Sequence, residues 1–481
     1  MADRKPIREF PFIPRIINPV KIASAVFFCA EARIRESAQI LDENMPWLKT
    51  EILCSPQSVA QYKSDQATVF LFDDTSLPLV DAGKIRRDNP DSVLVLFSAN
   101  PFIHCSPPQP AQVKYPFTAK ADLVFAYSTT SLVTPLIITS VVRAAEDLIN
   151  IRKSSKVRRF IFLVVDDEPR WFSEFLPTLY GIIGQRADVM ITRTYEETMR
   201  FLFGVEDESR IDGRDYRSRG HGDDVVCLIT DVFFPKAHRP DNDAGRDLVR
   251  LITHFYPRIP IIIASKAKET EELKGAAFLL PKGDPGSLHK LKDHIHDHSG
   301  MGDFLIFDKS GRELHRIKNI QGLVRILRAA EKNTKPAREL RKIMESYGQK
   351  DKFSTWLYMH SYQELGDVLR PKRSQGRRLI ALLKRHLEKE IHQLDATPLT
   401  IDGLKAFTLD DLLHALQTVP SEAIQPLSDN DVISSWLDRK GYSKLAEELR
   451  PIHGSGSKLS DTLISIFAKW QKTYARSDRS L

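Results

Sequence analysis

Five short apolar runs lie between Phe160 and Leu280, and four of them end in a residue suited to handling a charged oxygen. Phe160–Val165 runs into Asp166, Asp167 and Glu168. Val226–Thr230 runs into Asp231, Ile259–Ala264 into Ser265, and Ala276–Leu280 into Pro281 and Lys282. Val189–Ile191 is the remaining run. Uninterrupted apolar runs of this length read as strands buried on both faces. Segments of helical period separate them: Trp171, Phe172, Phe175, Leu176 and Leu179, then Glu196 to Phe203, then Asp247 to His254. Strands alternating with helices imply a parallel sheet with right-handed crossovers, and functional residues gather at the carboxyl ends of its strands. Asp166, Asp167, Asp231, Ser265 and Lys282 all stand at such ends.

An earlier stretch has the same order without the chemistry. Ser24–Cys29 reads as a strand, Ala32–Leu41 as a helix, and Ala67–Phe72 as a strand leading to Asp74. Val93–Phe97 leads to Ser98, Leu123–Ala126 is a late strand, and Val133–Ile149 is a long amphipathic helix. Asp231 is followed four residues on by Pro235, and Asp74 by Pro78, which lays Asp74 under Asp231 and Ser98 under Ser265. Cys29 and Ala30 then fall where the paired acids should be, leaving Glu31, and Ser128 falls where Lys282 should be. A proline-rich loop from Asn100 to Phe117 replaces the fourth helix.

The constellation at 157–298 resembles the receiver domain of two-component response regulators, with five positions matching in order. The resemblance implies that Asp231 takes a phosphoryl group. It also implies that Asp166, Asp167, Asp231 and the backbone carbonyl of Phe233 hold Mg²⁺, a hard cation suited to oxygen ligands. Lys282 and Ser265 would bind the phosphoryl oxygens and report their arrival. Two departures stand out. Gly283 follows Lys282 where the family usually has proline, and Glu206–Asp224 is a long polar insertion. The earlier stretch is then a degenerate pseudo-receiver used for contacts.

After residue 300 the chain repeats itself. Phe353-Ser354-Thr355-Trp356-Leu357 returns as Ile433-Ser434-Ser435-Trp436-Leu437, and Leu369-Arg370-Pro371 as Leu449-Arg450-Pro451, both 80 residues later. Ile320, Leu323 and Leu327 return as Leu409, Leu412 and Leu416 at an offset of 89. Each unit reads as a short strand or hairpin, a helix, a loop and a Trp-bearing helix stopped by Arg-Pro. The pattern resembles small uncharacterised bacterial and archaeal domains, related segments of which follow receiver-like domains in proteins of the phosphoenolpyruvate synthase type. Trp356 and Trp436 read as core residues, with partner-facing anchors as the alternative. Between the units, Arg370–Lys389 is an amphipathic basic helix carrying Arg377, Arg378, Lys384 and Arg385. It reads as a solvated face, with nucleic-acid phosphate or an acidic partner as alternatives.

Charge supports this division. From Met301 to Leu481 there are 31 Lys+Arg and 23 Asp+Glu, a balance of +8 within a chain of net +7, so the first 300 residues balance at −1. The four cysteines share no close spacing, which argues against a zinc site or a disulfide framework. No apolar run is long enough to span a membrane, and no signal peptide is expected at the chain's charged start. The expected fold class is α/β: two flavodoxin-like doubly wound parallel sheets in tandem, then a largely helical α+β tandem repeat. The expected divisions are 1–152, 157–298, 302–372, a basic connector at 373–396, 397–452, and a helix and tail at 453–481. The expected function is that of a cytoplasmic response regulator acting through protein contacts, with no separate catalytic site. Its expected partners are a histidine kinase or phosphotransfer protein, an unidentified output protein and, as an open question, a second copy of itself. The alternatives are a nucleic-acid-binding regulator using the basic helix, and an adaptor or regulatory subunit of a phosphoenolpyruvate-utilising enzyme.

Overall fold

Apolar runs without alternation need cover on both faces, and the computed structural model supplies it. The structure describes residues 9–28, 32–100, 103, 120–127, 135–211, 219–237, 239–266, 278–284, 286–370, 376–394 and 397–477. Cys29, Ala30, Glu31, Ser128, most of the proline-rich loop, and Lys372 and Arg373 lie outside the described residues. The chain divides into two units.

One unit comprises Arg15–Tyr180 and Arg186–Leu291. Its strands, in chain order, are β1 (Ile16–Ile17), β2 (Ser24–Phe28), β3 (Lys49–Leu53), β4 (Thr68–Phe72), β5 (Ser92–Ser98), β6 (Leu123–Ala126), β7 (Ser155–Lys156), β8 (Ile161–Val165), β9 (Asp188–Thr192), β10 (Val225–Thr230), β11 (Phe234–Lys236), β12 (Arg239–Asp241), β13 (Ile261–Ser265) and β14 (Phe278–Pro281). Two five-stranded sheets run β3-β2-β4-β5-β6 and β9-β8-β10-β13-β14. Every pairing within them is parallel. The inner strands β2, β4, β5, β8, β10 and β13 are buried along their whole length, whereas edge strand β3 is partly exposed.

Helix Pro135–Lys153 lies against both halves of this unit. Its buried Asp147 accepts hydrogen bonds from the Tyr180 hydroxyl (2.9 Å) and the Val189 amide (2.8 Å), and burial holds its carboxyl above the ordinary range. β1 pairs antiparallel with β7, and Arg15 and Lys156 flank the fully buried Asp188.

The other unit comprises the described part of Met1–Pro14, Gly181–Gln185, and Lys292–Leu481. Each repeat begins with an antiparallel hairpin, Phe304–Phe307 with Glu313–Ile317 and Leu399–Ile401 with Leu404–Ala406. Five helices follow in each. They are 320–330, 335–349, 352–359, 363–369 and 376–394 in the first, and 409–418, 421–429, 432–439, 443–449 and 456–477 in the second. The expected loop ahead of each Trp helix is therefore a helix, 15 residues long in the first repeat and 9 in the second. Most of the sequence shortening falls there.

The expected connector and tail helix are corrected by the packing. Leu379, Ile380, Leu383 and Leu387 of helix 376–394 belong to the first repeat's core, with Trp356 and Leu323. Leu459, Leu463 and Phe467 of helix 456–477 close the second repeat's core around Trp436 in the same way.

Candidate functional site

Parallel register brings the chemistry of the second sheet to one edge. Val165 of β8 pairs with Thr230 of β10, so Asp166 and Asp231 leave adjacent strands side by side. The Asp231 amide donates to Val165 O (2.9 Å), and the Asp166 amide to Thr192 O (3.1 Å). Ser265 of β13 pairs with Pro281 of β14, and the Lys282 amide donates back to Ser265 O (3.1 Å). The Lys282 ammonium reaches Asp166 Oδ2 at 2.6 Å and Asp231 Oδ2 at 2.5 Å. Asp166 Oδ1 accepts from the Glu168 amide (2.9 Å), and Asp231 Oδ1 from the Val232 amide (2.6 Å). Asp166, Asp167, Asp231 and Ser265 are all buried.

Burial sets the electrostatics. It pushes the Asp166 carboxyl above the ordinary carboxylate range; Asp231 adds to the rise, and Lys282 opposes it. Burial alone would lower Lys282, but the two carboxylates beside it hold its ammonium above the ordinary value. A buried carboxylate pair sharing one ammonium attracts further positive charge.

Mg²⁺ is tested by the donor set. Three carboxylates and the carbonyl of Phe233, a partly exposed residue, are hard oxygen donors and fit such a cation in kind. Among the described residues, no three His, Cys, Asp or Glu side chains are grouped to hold a metal ion.

Two neighbours of this pocket were given no part in it by sequence reading. Gly245 opens helix Ala244–Phe255 against the Asp231 loop, its amide donating to Val232 O (2.9 Å). A Cβ there would lie 2.3 Å from Asp231 O and 2.6 Å from Val232 Cα. Its signal was a glycine at the start of a helix behind a strand-end aspartate. The other is Trp171, read as one apolar position of a helix and as near enough to the paired acids to report Mg²⁺ by its fluorescence.

In the first sheet the register corrects the alignment. Phe28 pairs with Phe72 as Val165 pairs with Thr230, so Asp73, and not Asp74, stands in the place of Asp231. Asp73 Oδ1 accepts from Thr75 N (3.0 Å), Thr75 Oγ1 (2.7 Å) and Ser76 N (2.7 Å), which turns the carboxylate back on its own loop. Asp74 Oδ2 takes the Ser98 hydroxyl at 2.5 Å, and burial holds its carboxyl above the ordinary range.

The remaining sequence candidates lie in the other unit. Trp356 and Trp436 are 1% exposed, which places them in the core rather than on a partner-facing surface. Each indole donates to the backbone two residues ahead of its hairpin, Trp356 to Gly302 O (2.9 Å) and Trp436 to Thr397 O (3.3 Å). On helix 376–394, Arg377 donates to Asn333 Oδ1 and Lys384 pairs with Glu331, while Arg378 and Arg385 are exposed.

No protein-family model matches the chain, and no characterised protein matches it in sequence. Solved structures similar to it include a protein described as a two-component system response regulator/GGDEF domain protein. That similarity is 13% identity at a TM-score of 0.24, over 57% of this chain and 98% of the other. NtrX from Brucella abortus in complex with ATP is similar at 12% identity and a TM-score of 0.21, over 92% and 99%. Tagatose-6-phosphate ketose/aldose isomerase from Escherichia coli is similar at 9% and 0.20, over 56% and 80%. Response regulators and an isomerase thus appear at like scores, too low to carry a conclusion about fold or function. No helix among the described residues is long and apolar enough to cross a membrane.

Proposed function

We propose that the chain is a phosphorylation-dependent regulator whose phosphoacceptor is Asp231 and whose output runs through protein contacts. The observation that carries this reading is the Lys282 ammonium joining the Asp166 and Asp231 carboxylates at the strand ends of a parallel sheet. An oxygen of the Asp231 carboxylate attacks the phosphorus, and the bond to the leaving group breaks with its electron pair. Charge then spreads over the phosphoryl oxygens, where Lys282 neutralises part of it and the Ser265 hydroxyl donates a hydrogen bond. Asp166, Asp167, Asp231 and the Phe233 carbonyl would hold Mg²⁺, which supplies further charge neutralisation when bound. The phosphoryl donor in this reading is a histidine kinase or phosphotransfer protein. The first sheet, with Asp73 bound to its own loop, is a pseudo-receiver, and the two halves form tandem receiver-like domains.

Acetyl phosphate with Mg²⁺ tests the assignment. One base-labile modification is expected. Asp231→Asn should abolish it, while Asp73→Asn and Asp74→Asn should leave it. Labelling that survives Asp231→Asn overturns the reading.

A further inference from the structure

We infer that Trp171 is a gate beside the Asp231 carboxylate, latched by Glu168. The inference rests on the reading of Asp231 as the phosphoacceptor. It concerns how long the phosphoryl group stays and how readily a small donor delivers it.

The ring does not belong to the apolar core. It is half-buried, with the ammonium of Lys266 4.6 Å, the guanidinium of Arg170 4.9 Å and the ammonium of Lys282 5.7 Å from its centroids. That Lys282 ammonium is the group touching Asp231 Oδ2. The indole is also held at its polar end. Its N–H donates to Glu168 Oε2, and the Lys266 ammonium reaches the same oxygen at 3.3 Å. Glu168 is in turn fixed to the pocket, its amide donating to Asp166 Oδ1. A large flat side chain is thus tied by its own hydrogen bond beside the ammonium that joins a buried carboxylate pair.

The backbone after Lys282 explains a departure in the sequence. Gly283 has φ +82°, which proline, locked near −65°, cannot adopt. A Cβ at 283 would lie 3.9 Å from Trp171 Cη2, an ordinary contact, so conformation and not space asks for glycine there.

The gate's chemistry is access. In labelling by acetyl phosphate, an Asp231 oxygen takes the phosphoryl group and acetate leaves with the electron pair. In loss, water attacks the phosphorus, the bond to the Asp231 oxygen breaks, and the carboxylate and inorganic phosphate are released. Both reactions need a small molecule to reach the same phosphorus, so a ring across the approach slows both.

The test is the label's lifetime after acetyl phosphate is removed, together with the initial labelling rate. It uses the full chain as wild type, Trp171→Ala, Trp171→Phe and Glu168→Ala. Trp171→Ala should shorten the lifetime and raise the initial rate, each by about threefold to tenfold. Trp171→Phe keeps a flat ring and should stay near wild type, and Glu168→Ala should fall between. Where Trp171→Ala lowers the melting temperature, the Glu168→Ala and Trp171→Phe pair decides. A wild-type lifetime in both alanine variants, with the label on Asp231, overturns the gate and leaves the phosphoacceptor standing. No label on the wild type, or one surviving Asp231→Asn, overturns the phosphoacceptor and the gate with it.

Discussion

Gly245 occupies a position with no room for a side chain. The nearest obstacle is backbone, Asp231 O and Val232 Cα, which cannot move without moving the Asp231 loop. Gly245→Ala is therefore expected to cost about 1–3 kcal/mol, as overpacking does, and to lower acetyl phosphate labelling. Urea unfolding and the labelling rate check both. A second residue-scale case lies in the repeats. Asp438 Oδ2 meets His360 Nδ1 at 2.6 Å, and Ser443 donates to Asp438 Oδ1 at 2.7 Å. Burial alone would raise the Asp438 carboxyl, but His360, Arg450 and these hydrogen bonds hold it below its ordinary value of 3.8. A depressed folded value stabilises above the unfolded value and is lost as pH falls below it. The chain should thus lose stability from about pH 4 downward. Asp438→Asn should remove that part of the slope, read as the urea midpoint between pH 6 and pH 3. The five strand-end residues could be picked out because each ends an apolar run. Asp73 could not: two adjacent aspartates differ only in register, which pairing across the sheet decides.

The elements show where periodicity suffices and where it fails. The inner strands were legible because burial on both faces forces continuous apolar runs. Helix 335–349 was read as a loop, although Thr334 accepts the Ala337 amide at its start and Ala337, Leu340, Met344 and Tyr347 form a buried stripe. Lysines, arginines and glutamates between those positions hid the stripe. Helix 376–394 was legible as amphipathic, but amphipathicity does not say which neighbour covers the apolar face. The register of the repeat does: Leu379 and Leu383 stand 80 residues before Leu459 and Leu463, and both pairs are core. Leu383 is fully buried. Leu383→Ala is expected to cost about 2–5 kcal/mol, whereas Arg378→Ala and Arg385→Ala, at exposed positions, should each stay within about 0.5 kcal/mol. Urea midpoints of the three variants separate a core helix from a free basic connector. A Leu383→Ala chain as stable as wild type would return the helix to the surface.

At the scale of the whole molecule, each unit is a pair of like halves, and in the second unit sequence order misleads about membership. The pairing of halves was legible, because strand order and the offset of 80 are local repeats that survive in one chain. The place of residues 9–14 was not, since six residues with two prolines have no period to read. They belong with the repeats. Phe10 and Phe12 pack on the second repeat's core, and the Phe10 amide donates to Pro398 O at 3.1 Å. The Arg439 guanidinium lies 5.3 Å from the Phe10 ring centroid, and Gln363 Nε2 donates to Ile13 O at 3.3 Å. Gln363 is in the first repeat and Arg439 in the second, so the segment touches both. Between them, His360 meets Asp438, and the Tyr362 hydroxyl donates to Arg439 O at 3.4 Å. A fragment beginning near Lys292 retains those joints but loses the segment, and with it Gly181–Gln185, whose Gln185 amide donates to Asp431 Oδ2. It should melt cooperatively, as one core shared by two repeats, yet be less stable by about 1–3 kcal/mol, the scale of one or two partly buried aromatic side chains. A synthetic peptide of residues 9–14 should raise its melting temperature in a concentration-dependent way, because a ligand that binds only the folded form stabilises it by mass action. The same peptide with Phe10 and Phe12 replaced by alanine should not. Equal melting with and without the peptide at millimolar concentration, together with wild-type stability of the full chain carrying Phe10→Ala and Phe12→Ala, would remove the segment from the core it is assigned to.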